Sequence, residues 1–585
     1  MNLKTFHPSG QRGGYALVMV MVFAAIGITV LTGTMNWASQ TALMNERSNQ
    51  MTTTLYAAEA STERIVSRLM FDYKASGEAT VYANINSYRT NVPTAGQSSY
   101  WSDFQFSNGA GTAGQNYVNR TQTQSYTSLG GPYVGLQGFA SVYRVVSNAR
   151  QTNGRFALTN AIQQDLQLAS IPVFQFAIFY NQDLEVNSQT AMAVRGRVHS
   201  NQAIYTSPSS TLTFSDSVTS VGQNYFHRKP GDPSYTGSPP SGTVSYDGGK
   251  TTNANALTLP IGTNNTSTAV REVLNMPPVG ESMNSAMGQQ RYFNKSELQI
   301  LVSNATVTVQ IKTPFDASPV TIPWTNANYF ISTNLTFTDQ REGKTVRTTE
   351  LDVVRYRTWA ATNSQVASKL GGGNAPNMVY VADNRTVTTS QLAAVRLING
   401  QTLPNRGLTV ATPNPLYVKG HYNCPNAAHL GTTNTTATLP ASLASDALTV
   451  LSGTWSDAAS SSSYTTRNAS STTVNAAIMT GIVPTTNSPS RYSGGVQNLG
   501  RFLEDWSGDT ITYNGSMVVL FDSTRATAPF QQPGAYYNAP ARNLYFDENF
   551  KDVTKLPPGT PELRTLIRGS WTSAPPNRTN YVVSF

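Results

Sequence analysis

The sequence predicts an α+β protein in which one long N-terminal α-helix precedes a predominantly β region, either a β-solenoid-like body or an irregular β-sandwich. Three observations predict this class. Residues 15–33 (YALVMVMVFAAIGITVLTG) carry no charge, and residues 34–76 contain neither Gly nor Pro. Beyond residue 186, short β-branched runs separated by turns recur about every ten residues, which is typical of β-sandwiches, barrels and solenoids.

The composition is typical of an exported protein. Only 12% of the 585 residues are charged, against about a quarter in ordinary soluble domains. Asn, Ser, Thr, Gln and Gly therefore have to solvate the surface. At roughly 100 to 200 residues per domain, the length predicts two to four modules. The single cysteine, Cys424, cannot form an intrachain disulfide.

The charge distribution excludes an ordinary nucleic-acid binder. The net charge of +9 comes from 40 basic and 31 acidic residues, and no run of Lys or Arg is long enough to follow a phosphate backbone. A nucleic-acid-binding surface clusters its basic residues on one face. We therefore predict no nucleic-acid partner.

Residues 15–33 are long enough to cross a membrane. At 1.5 Å per residue this segment forms a helix of about 28 Å, close to the roughly 30 Å hydrocarbon core of a bilayer. Lys4 and Arg12 precede it without an acidic residue, which places the N-terminus in the cytoplasm. A secretory signal peptide, a permanent signal anchor and a prepilin leader all fit these features.

The helix is predicted to continue beyond the span. Apolar residues recur at helical spacing through residue 76, at Leu55, Ala58, Ile65, Leu69 and Met70. One helix over residues 15–76 would be about 93 Å long, and Gly77 is a suitable stop. A signal peptide has a shorter apolar run followed by a cleavage site, so this continuity favours a retained helix.

A short basic leader ends in Gly13-Gly14, the apolar run starts at Tyr15-Ala16-Leu17, and residues 57–60 read Ala-Ala-Glu-Ala. These N-terminal motifs resemble those of the type IV pilin-like family, in particular its large PilX-type minor members. Distal segments at 338–353, 493–518, 542–550 and 556–561 are similar to parts of large pilin-like exported proteins of no known activity.

The resemblance implies cleavage by a prepilin peptidase, most plausibly after Gly14, with Gly13 as the alternative. The span, with Tyr15, Leu17, Met19, Phe23 and Leu31, would then stay in the bacterial inner membrane as a single pass. It would later pack among other pilin-like subunits in a filament at the cell surface. Without the resemblance, the segment is simply a single-span anchor.

Met19 departs from the pattern of the family. Major pilins carry Glu at the fifth mature position, which is Met19 here when counted from Tyr15. The resemblance implies that this carboxylate pairs with the terminal amine of a neighbouring subunit, and an unpaired charge in such an apolar bundle is costly. A subunit without the carboxylate is expected at a filament end rather than along its length.

Four regions are predicted. They are a leader (1–14), a transmembrane and amphipathic helix (15–76), a small head with a β-hairpin (77–170) and a large distal β region (171–585). The hairpin is predicted at Asn153-Gly154, a common two-residue turn. Residues 171–186 are expected to form a buried strand, and residues 223–276 a surface insertion. Asn201 and Asn423 lie where their side chains would satisfy neighbouring turns of stacked coils.

No pattern predicts a metal or cofactor. The spacing of His421, Cys424 and His429 matches no compact zinc motif, and His199 is predicted to be a hydrogen-bonded strand residue.

Four pairs of carboxylates that lie close together in the sequence could in principle serve glycoside hydrolysis. Arg341, Arg501 and Arg542 lie near several of them in sequence, and we predict salt bridges instead. The pairs are Asp339 with Glu342, Glu350 with Asp352, Glu504 with Asp505, and Asp547 with Glu548.

The predicted function is that of a non-catalytic minor subunit that primes, caps or decorates a type IV pilus or a type II secretion pseudopilus. A membrane-anchored β-helical carbohydrate-active enzyme and a glycan-binding adhesin are the alternatives. Surface glycans are therefore a further candidate partner, besides the prepilin peptidase and the pilin-like subunits.

Overall fold

The computed structural model describes residues 14–109, 112–257, 266–531 and 535–574. Its α-helices are α1 (Gly14–Ser76), α2 (Glu78–Ala83), α3 (Ile85–Arg89), α4 (Ser267–Arg271), α5 (Tyr292–Lys295), α6 (Trp324–Ala327), α7 (Val353–Thr362) and α8 (Ser364–Leu370).

The β-strands lie between Phe104 and Ala574. They are β1 (Phe104–Ser107), β2 (Tyr117–Ser128), β3 (Gln137–Gln151), β4 (Thr159–Pro172), β5 (Ile178–Tyr180), β6 (Leu184–Val186), β7 (Met192–Arg195), β8 (Val198–Ser200), β9 (Ile204–Thr206), β10 (Thr211–Phe214), β11 (Val218–Ser220), β12 (Asn224–Tyr225), β13 (Thr243–Tyr246), β14 (Lys250–Thr251), β15 (Leu298–Val302), β16 (Val307–Ile311), β17 (Val320–Ile322), β18 (Ile331–Asp339), β19 (Lys344–Asp352), β20 (Met378–Asp383), β21 (Gln391–Ile398), β22 (Leu408–Ala411), β23 (Leu416–Lys419), β24 (Ala441–Ser445), β25 (Leu448–Leu451), β26 (Thr472–Thr480), β27 (Thr486–Asn487), β28 (Ser490–Arg491), β29 (Gly500–Arg501), β30 (Thr510–Val519), β31 (Ala541–Phe546) and β32 (Glu562–Ala574). The predicted α+β class is confirmed.

The chain divides into two compact units. The first lies within Met1–Ser125, Ala140–Ala169 and Arg564–Phe585, and the second within Tyr126–Phe139 and Ser170–Leu563. The first unit therefore takes its last segment from the far end of the sequence, which was not predicted.

In the first unit, α1 packs on a five-stranded sheet. The strand order is β1-β3-β4-β32, and β2 also pairs with β3. Ile65 and Leu69 of α1 are fully buried against Tyr143, Val145 and Leu166 of the sheet. Since these helix residues are four apart, they lie on one face, as the apolar spacing predicted.

Helix α1 ends where the sequence predicted. Gly77 has a φ of 79°, a left-handed conformation that favours glycine, and α1 stops at Ser76. The short helices α2 and α3 follow within the head, for which only a β-hairpin was predicted. Neither has a side-chain N-cap hydrogen bond, so no capping signal marks them in the sequence.

Strands β3 and β4 form the predicted hairpin, but its turn is longer than the predicted two residues and spans residues 152–158. The backbone N–H of Phe156 donates to Oε1 of Gln50 at 3.0 Å, and its carbonyl accepts from Nε2 of Gln50 at 2.5 Å. The turn is therefore extended because it holds α1.

The second unit begins with stacked coils that repeat every 20 residues. Val198 pairs in register with Ile178 and with Val218, and Leu184 pairs with Ile204, all in parallel strands. Residues 171–186, predicted as one strand, contain the end of β4 and the two short strands β5 and β6.

A third coil lies inside the segment predicted to be a surface insertion. Strand β13 pairs in parallel with β10, and β14 with β11. Leu212 pairs with Val244, so the extra residues of this coil hide the period. The prediction of an insertion over residues 223–276 was wrong for β12, β13 and β14.

The rest of the second unit is a parallel β-solenoid. One sheet stacks β20, β22, β24, β26 and β30, and a second stacks β19, β21, β23, β25 and β29. Strand β30 pairs with both β31 and β5, so the first coils continue the stack formed by the last ones. The antiparallel strands β16, β17 and β18 terminate the other end.

Asparagine side chains connect successive coils, as predicted. Asn475 Nδ2 donates to the carbonyl of Asn423 at 3.0 Å, and Asn514 Nδ2 donates to Asn475 Oδ1 at 2.8 Å. Asn201 Nδ2 donates in the same way to Asn181 Oδ1 at 2.9 Å. Buried amides that satisfy each other in this way cost little to bury.

We expect Asn475→Ala to lower the free energy of unfolding by about 1–3 kcal/mol, because it removes the donor to the buried carbonyl of Asn423 and one of the two acceptors of Asn514 Nδ2. Urea unfolding of the full chain in detergent, followed by circular dichroism, measures the change. The control is Asn328→Ala, at an exposed position. An equal effect of both variants would contradict a structural role for the ladder.

Candidate functional site: the N-terminal helix

The first half of α1 presents an apolar surface that the described chain leaves uncovered. Tyr15, Leu17, Met19, Phe23 and Leu31 are 59–86% exposed. No residue from Tyr15 to Asn45 carries a charge. The helix is long and apolar enough to cross a membrane, as in a membrane anchor or a signal sequence.

The threonine hydroxyl groups in this half are satisfied by the helix itself. Thr29 and Thr32 donate to the carbonyls four residues earlier at 2.8 and 2.7 Å, and Thr34 donates to Leu31 at 2.9 Å. A hydroxyl bonded in this way requires no water. These threonine hydroxyls therefore do not oppose transfer into an apolar environment.

The predicted processing residues lie at the start of the helix. Gly13 lies outside the described residues, and α1 begins at Gly14. Tyr15 is the most exposed of the predicted span residues, at 86%. Met19 brings a thioether and no charge to the position where the resemblance implies a carboxylate.

The second half of α1 is held firmly to the small sheet. Gln50 is its first buried residue, and Asn160 Nδ2 donates to the carbonyl of Met51 at 2.7 Å. Ser61 and Asn116 bond each other within the core. These contacts make α1 and the sheet one folded unit.

The terminal strand β32 adds an ion pair to this attachment. Both guanidinium Nη atoms of Arg568 contact the carboxylate of Glu63. The hydrogen bond from Arg568 lowers the pKa of Glu63. Both groups are about half exposed, so the pair contributes orientation more than stability.

The carboxylate pairs have structural partners. Glu342 forms a salt bridge with Arg501 at 2.7 Å, and Glu350 one with Arg396 at 2.6 Å. Asp339 accepts from the Tyr417 hydroxyl at 2.6 Å. These acids therefore serve the packing of the solenoid.

The other acids of these pairs cap a helix, accept from a hydroxyl group or form a surface ion pair. Asp352 caps α7 through the N–H of Arg355. Asp547 accepts from the hydroxyl of Thr435 at 2.8 Å, and Glu548 pairs with Lys551 at 2.6 Å.

Two predicted salt bridges are absent from the described part of the chain. Arg501 pairs as predicted, but neither Arg341 nor Arg542 contacts a carboxylate there. Both guanidinium groups are buried, and burial lowers the pKa of Arg341 to about 10. The sequence gives no indication of this because it does not reveal which arginines are enclosed.

The histidines stay separate. His199 Nδ1 lies 2.7 Å from Thr219 Oγ1 and its Nε2 lies 2.9 Å from Asn201 Oδ1. Burial lowers its pKa to about 4, so its ring is a neutral, bonded part of the coil, as predicted.

The segment from His421 to His429 forms no metal site. His421 Nδ1 accepts from the backbone N–H of Thr473 at 3.1 Å, while His429 contacts Asn426 and Asn434. Within the described ranges, no three His, Cys, Asp or Glu residues are arranged to hold a metal.

Glu504 makes the stability of the second unit depend on pH. Burial raises its pKa to about 7, against hydrogen bonds from Ser452 and the nearby charges of Arg467 and Lys419. The folded chain therefore holds a proton that the unfolded chain releases above about pH 4.5. We expect stability to fall by about 3 kcal/mol as pH rises from 4.5 to 8.

Urea unfolding at pH 4.5, 6 and 8 measures the free energy of unfolding of the wild type and of Glu504→Gln. The difference between the two isolates the effect of Glu504, because other buried acids change the stability in the same direction. Asp505→Asn is the control, because Asp505 should change the stability with pH in the opposite direction. Burial raises the pKa of Asp505, but hydrogen bonds from Ser507 and Asn538 outweigh it and lower that pKa. The stability that ionised Asp505 contributes is lost as the pH falls through its pKa. Equal pH profiles for wild type and Glu504→Gln would contradict the assignment.

Comparisons with protein-family models, with curated proteins and with solved structures gave no match. The functional interpretation therefore depends on the chemistry of the uncovered helix and on the N-terminal motifs that accompany it.

Proposed function

We propose that this chain is a non-catalytic, minor pilin-like subunit that primes, caps or decorates a type IV pilus or a type II secretion pseudopilus. The observation that carries the proposal is the uncovered, uncharged half of α1, which continues without a break into a folded head. A signal peptide that is removed after export has no need for such continuity.

The apolar half of α1 requires two successive environments. Before assembly the bilayer covers it, with Lys4 and Arg12 on the cytoplasmic side. After cleavage of the leader, the helices of other pilin-like subunits cover the same surface. Cleavage before the span preserves the surface for this exchange.

Two glycines fit this packing role. Adding a Cβ at Gly27 or at Gly33 would meet nothing within 4 Å in the chain, so the fold of the single chain does not require either glycine. Glycine inside a helix costs roughly 0.5–1 kcal/mol relative to alanine. Small residues let apolar helices approach closely, which gives the glycines a use in an assembly.

Met19 and the size of the second unit favour a low-copy position. Without a carboxylate at Met19, the subunit makes no charge pair with the terminal amine of a neighbour. The second unit comprises Tyr126–Phe139 and Ser170–Leu563, which is a large mass to repeat along a dense filament. An end position accommodates both features.

We expect the mature chain to begin at Tyr15 in a host that has a prepilin peptidase. N-terminal sequencing and intact mass measure the start. Gly14→Leu should leave the leader attached, because it puts a bulky side chain at the cleaved bond, whereas the control Gly10→Leu should be processed normally. A native chain that retains Met1, or that begins after residue 33, would refute the proposal.

We expect wild-type protein in the sheared filament fraction at low copy number, and Met19→Glu should not be required for its incorporation. Met21→Glu is the matched control. Its carboxylate has no implied partner, and a charge in an apolar helix bundle costs about 2.5–3.5 kcal/mol. Quantitative immunoblotting measures incorporation. Recovery of Met19→Glu alone, with wild type excluded, would contradict an end position.

A further inference from the structure

A depression in the second unit brings together two arginines, an asparagine and two tyrosines. It is lined by Asn187, Arg228, Tyr492, Tyr537 and Arg542 among others, and its volume is about 370 Å³ including the space open at its mouth. The depression is therefore small, and most of a ligand larger than a single sugar ring has to remain outside it.

Arg542 gives the floor of the depression an uncompensated positive charge. Its side chain donates from Nε to the carbonyl of Gln497 at 2.6 Å, from Nη1 to the carbonyl of Pro540 at 3.1 Å, and from Nη2 to Asn498 Oδ1 at 3.2 Å. All three acceptors are neutral. Burying a charge without a counter-ion costs free energy, and a bound anion would offset that cost.

Arg228 supplies a second guanidinium at the edge. Its Nη1 contacts Asp232 at 2.8 Å and the Tyr492 hydroxyl at 3.4 Å. Its charge is therefore balanced, but a guanidinium has five N–H donors, and these contacts occupy only one nitrogen. The depression thus holds one unbalanced charge and several donors, which suits a monoanion.

Asn187 indicates a second feature that the ligand requires, a hydrogen-bond donor. Its Nδ2 donates to the Tyr492 hydroxyl at 3.2 Å, while its buried Oδ1 has no hydrogen-bond partner. A carbonyl oxygen accepts a hydroxyl hydrogen and repels an anion. A sulfate would satisfy the arginines but has no hydrogen to donate to Oδ1, so a ligand with both a carboxylate and hydroxyl groups fits better.

An aromatic surface lies next to this depression. Arg228 directly follows His227, whose ring lies 5.2 Å from that of Tyr225 and 5.7 Å from that of Tyr235. Tyr225 and Tyr235 are 38% and 41% exposed. Exposed tyrosines offer apolar ring area together with a hydroxyl, a combination that suits the C–H faces and hydroxyl groups of sugar rings.

We propose that the depression binds an acidic carbohydrate through a uronic acid residue. The carboxylate accepts hydrogen bonds from Arg542 and Arg228, a ring hydroxyl donates to Asn187 Oδ1, and neighbouring sugars contact the tyrosines around His227. This inference concerns the second unit alone and does not depend on incorporation of α1 into a filament.

The test uses the full chain in detergent micelles and isothermal titration calorimetry. The probes are tetragalacturonate and its neutral counterpart, a tetragalactoside. We expect the acidic probe to bind at least about tenfold more tightly, since hydrogen bonds to a charged group are stronger than those between neutral groups. Equal binding of both probes, or binding of neither, would overturn the proposal.

Two variants assign the site, and one serves as the control. Asn187→Asp changes little in shape but adds a negative charge beside the carboxylate, and Arg228→Gln removes a donor. Each should weaken binding of tetragalacturonate about tenfold. Arg355→Gln removes an arginine that is 61% exposed on α7 and should leave the affinity unchanged. Unchanged affinity in both site variants would overturn the assignment.

Competition by small anions distinguishes recognition of the carbohydrate from recognition of its negative charge alone. Acetate and inorganic sulfate should compete with tetragalacturonate only at concentrations far above those at which the monosaccharide galacturonate competes, because neither anion has a hydrogen to donate to Asn187 Oδ1 while occupying the arginines. Equal competition by acetate would mean that the depression recognises a bare anion, which would overturn the carbohydrate assignment. Thermal unfolding of each variant checks that it remains folded.

Discussion

The structure depends on one constraint, which is that an apolar helix surface free of charge has to be covered by something other than water. From Tyr15 to Asn45 the helix has no charged side chain, and its threonine hydroxyls bond to its own backbone. At about 25 cal/mol per Å², the exposed Leu, Val, Met and Phe side chains provide a large driving force for insertion or association. The head cannot relieve it, because burial of α1 begins only at Gln50.

The second unit solves a different problem, which is to build a large mass with few charges and no disulfide. Parallel coils satisfy each other's backbone groups, and each added coil buries apolar residues such as Val410 and Leu443. Where polar side chains turn inward, they form ladders like that of Asn423, Asn475 and Asn514. The abundance of Asn, Ser and Thr is therefore structural as well as a property of the surface.

The sequence predicted most reliably what local patterns control. Helix α1 and its end at Gly77 follow from uniform composition and helical spacing, and the hairpin follows from alternation on both sides of Asn153-Gly154. The 20-residue coil period escaped detection because its strands have only three or four residues and its third coil is interrupted after Tyr225. Strand β32 was missed because it pairs with β4, almost 400 residues earlier in the chain.

The same limit applies to predicting which charged side chains form ion pairs. Arg501 and Arg396 find carboxylates, so in a chain with 12% charged residues pairing was a sound expectation. Arg542 escapes it because coil stacking places the guanidinium among the carbonyls of Gln497 and Pro540, and no sequence pattern specifies that enclosure. Where charges are scarce, one buried cation without a counter-ion dominates the local field. The coil stacking that encloses Arg542 without a counter-ion therefore makes this position, rather than those of the paired arginines, suited to binding an anion.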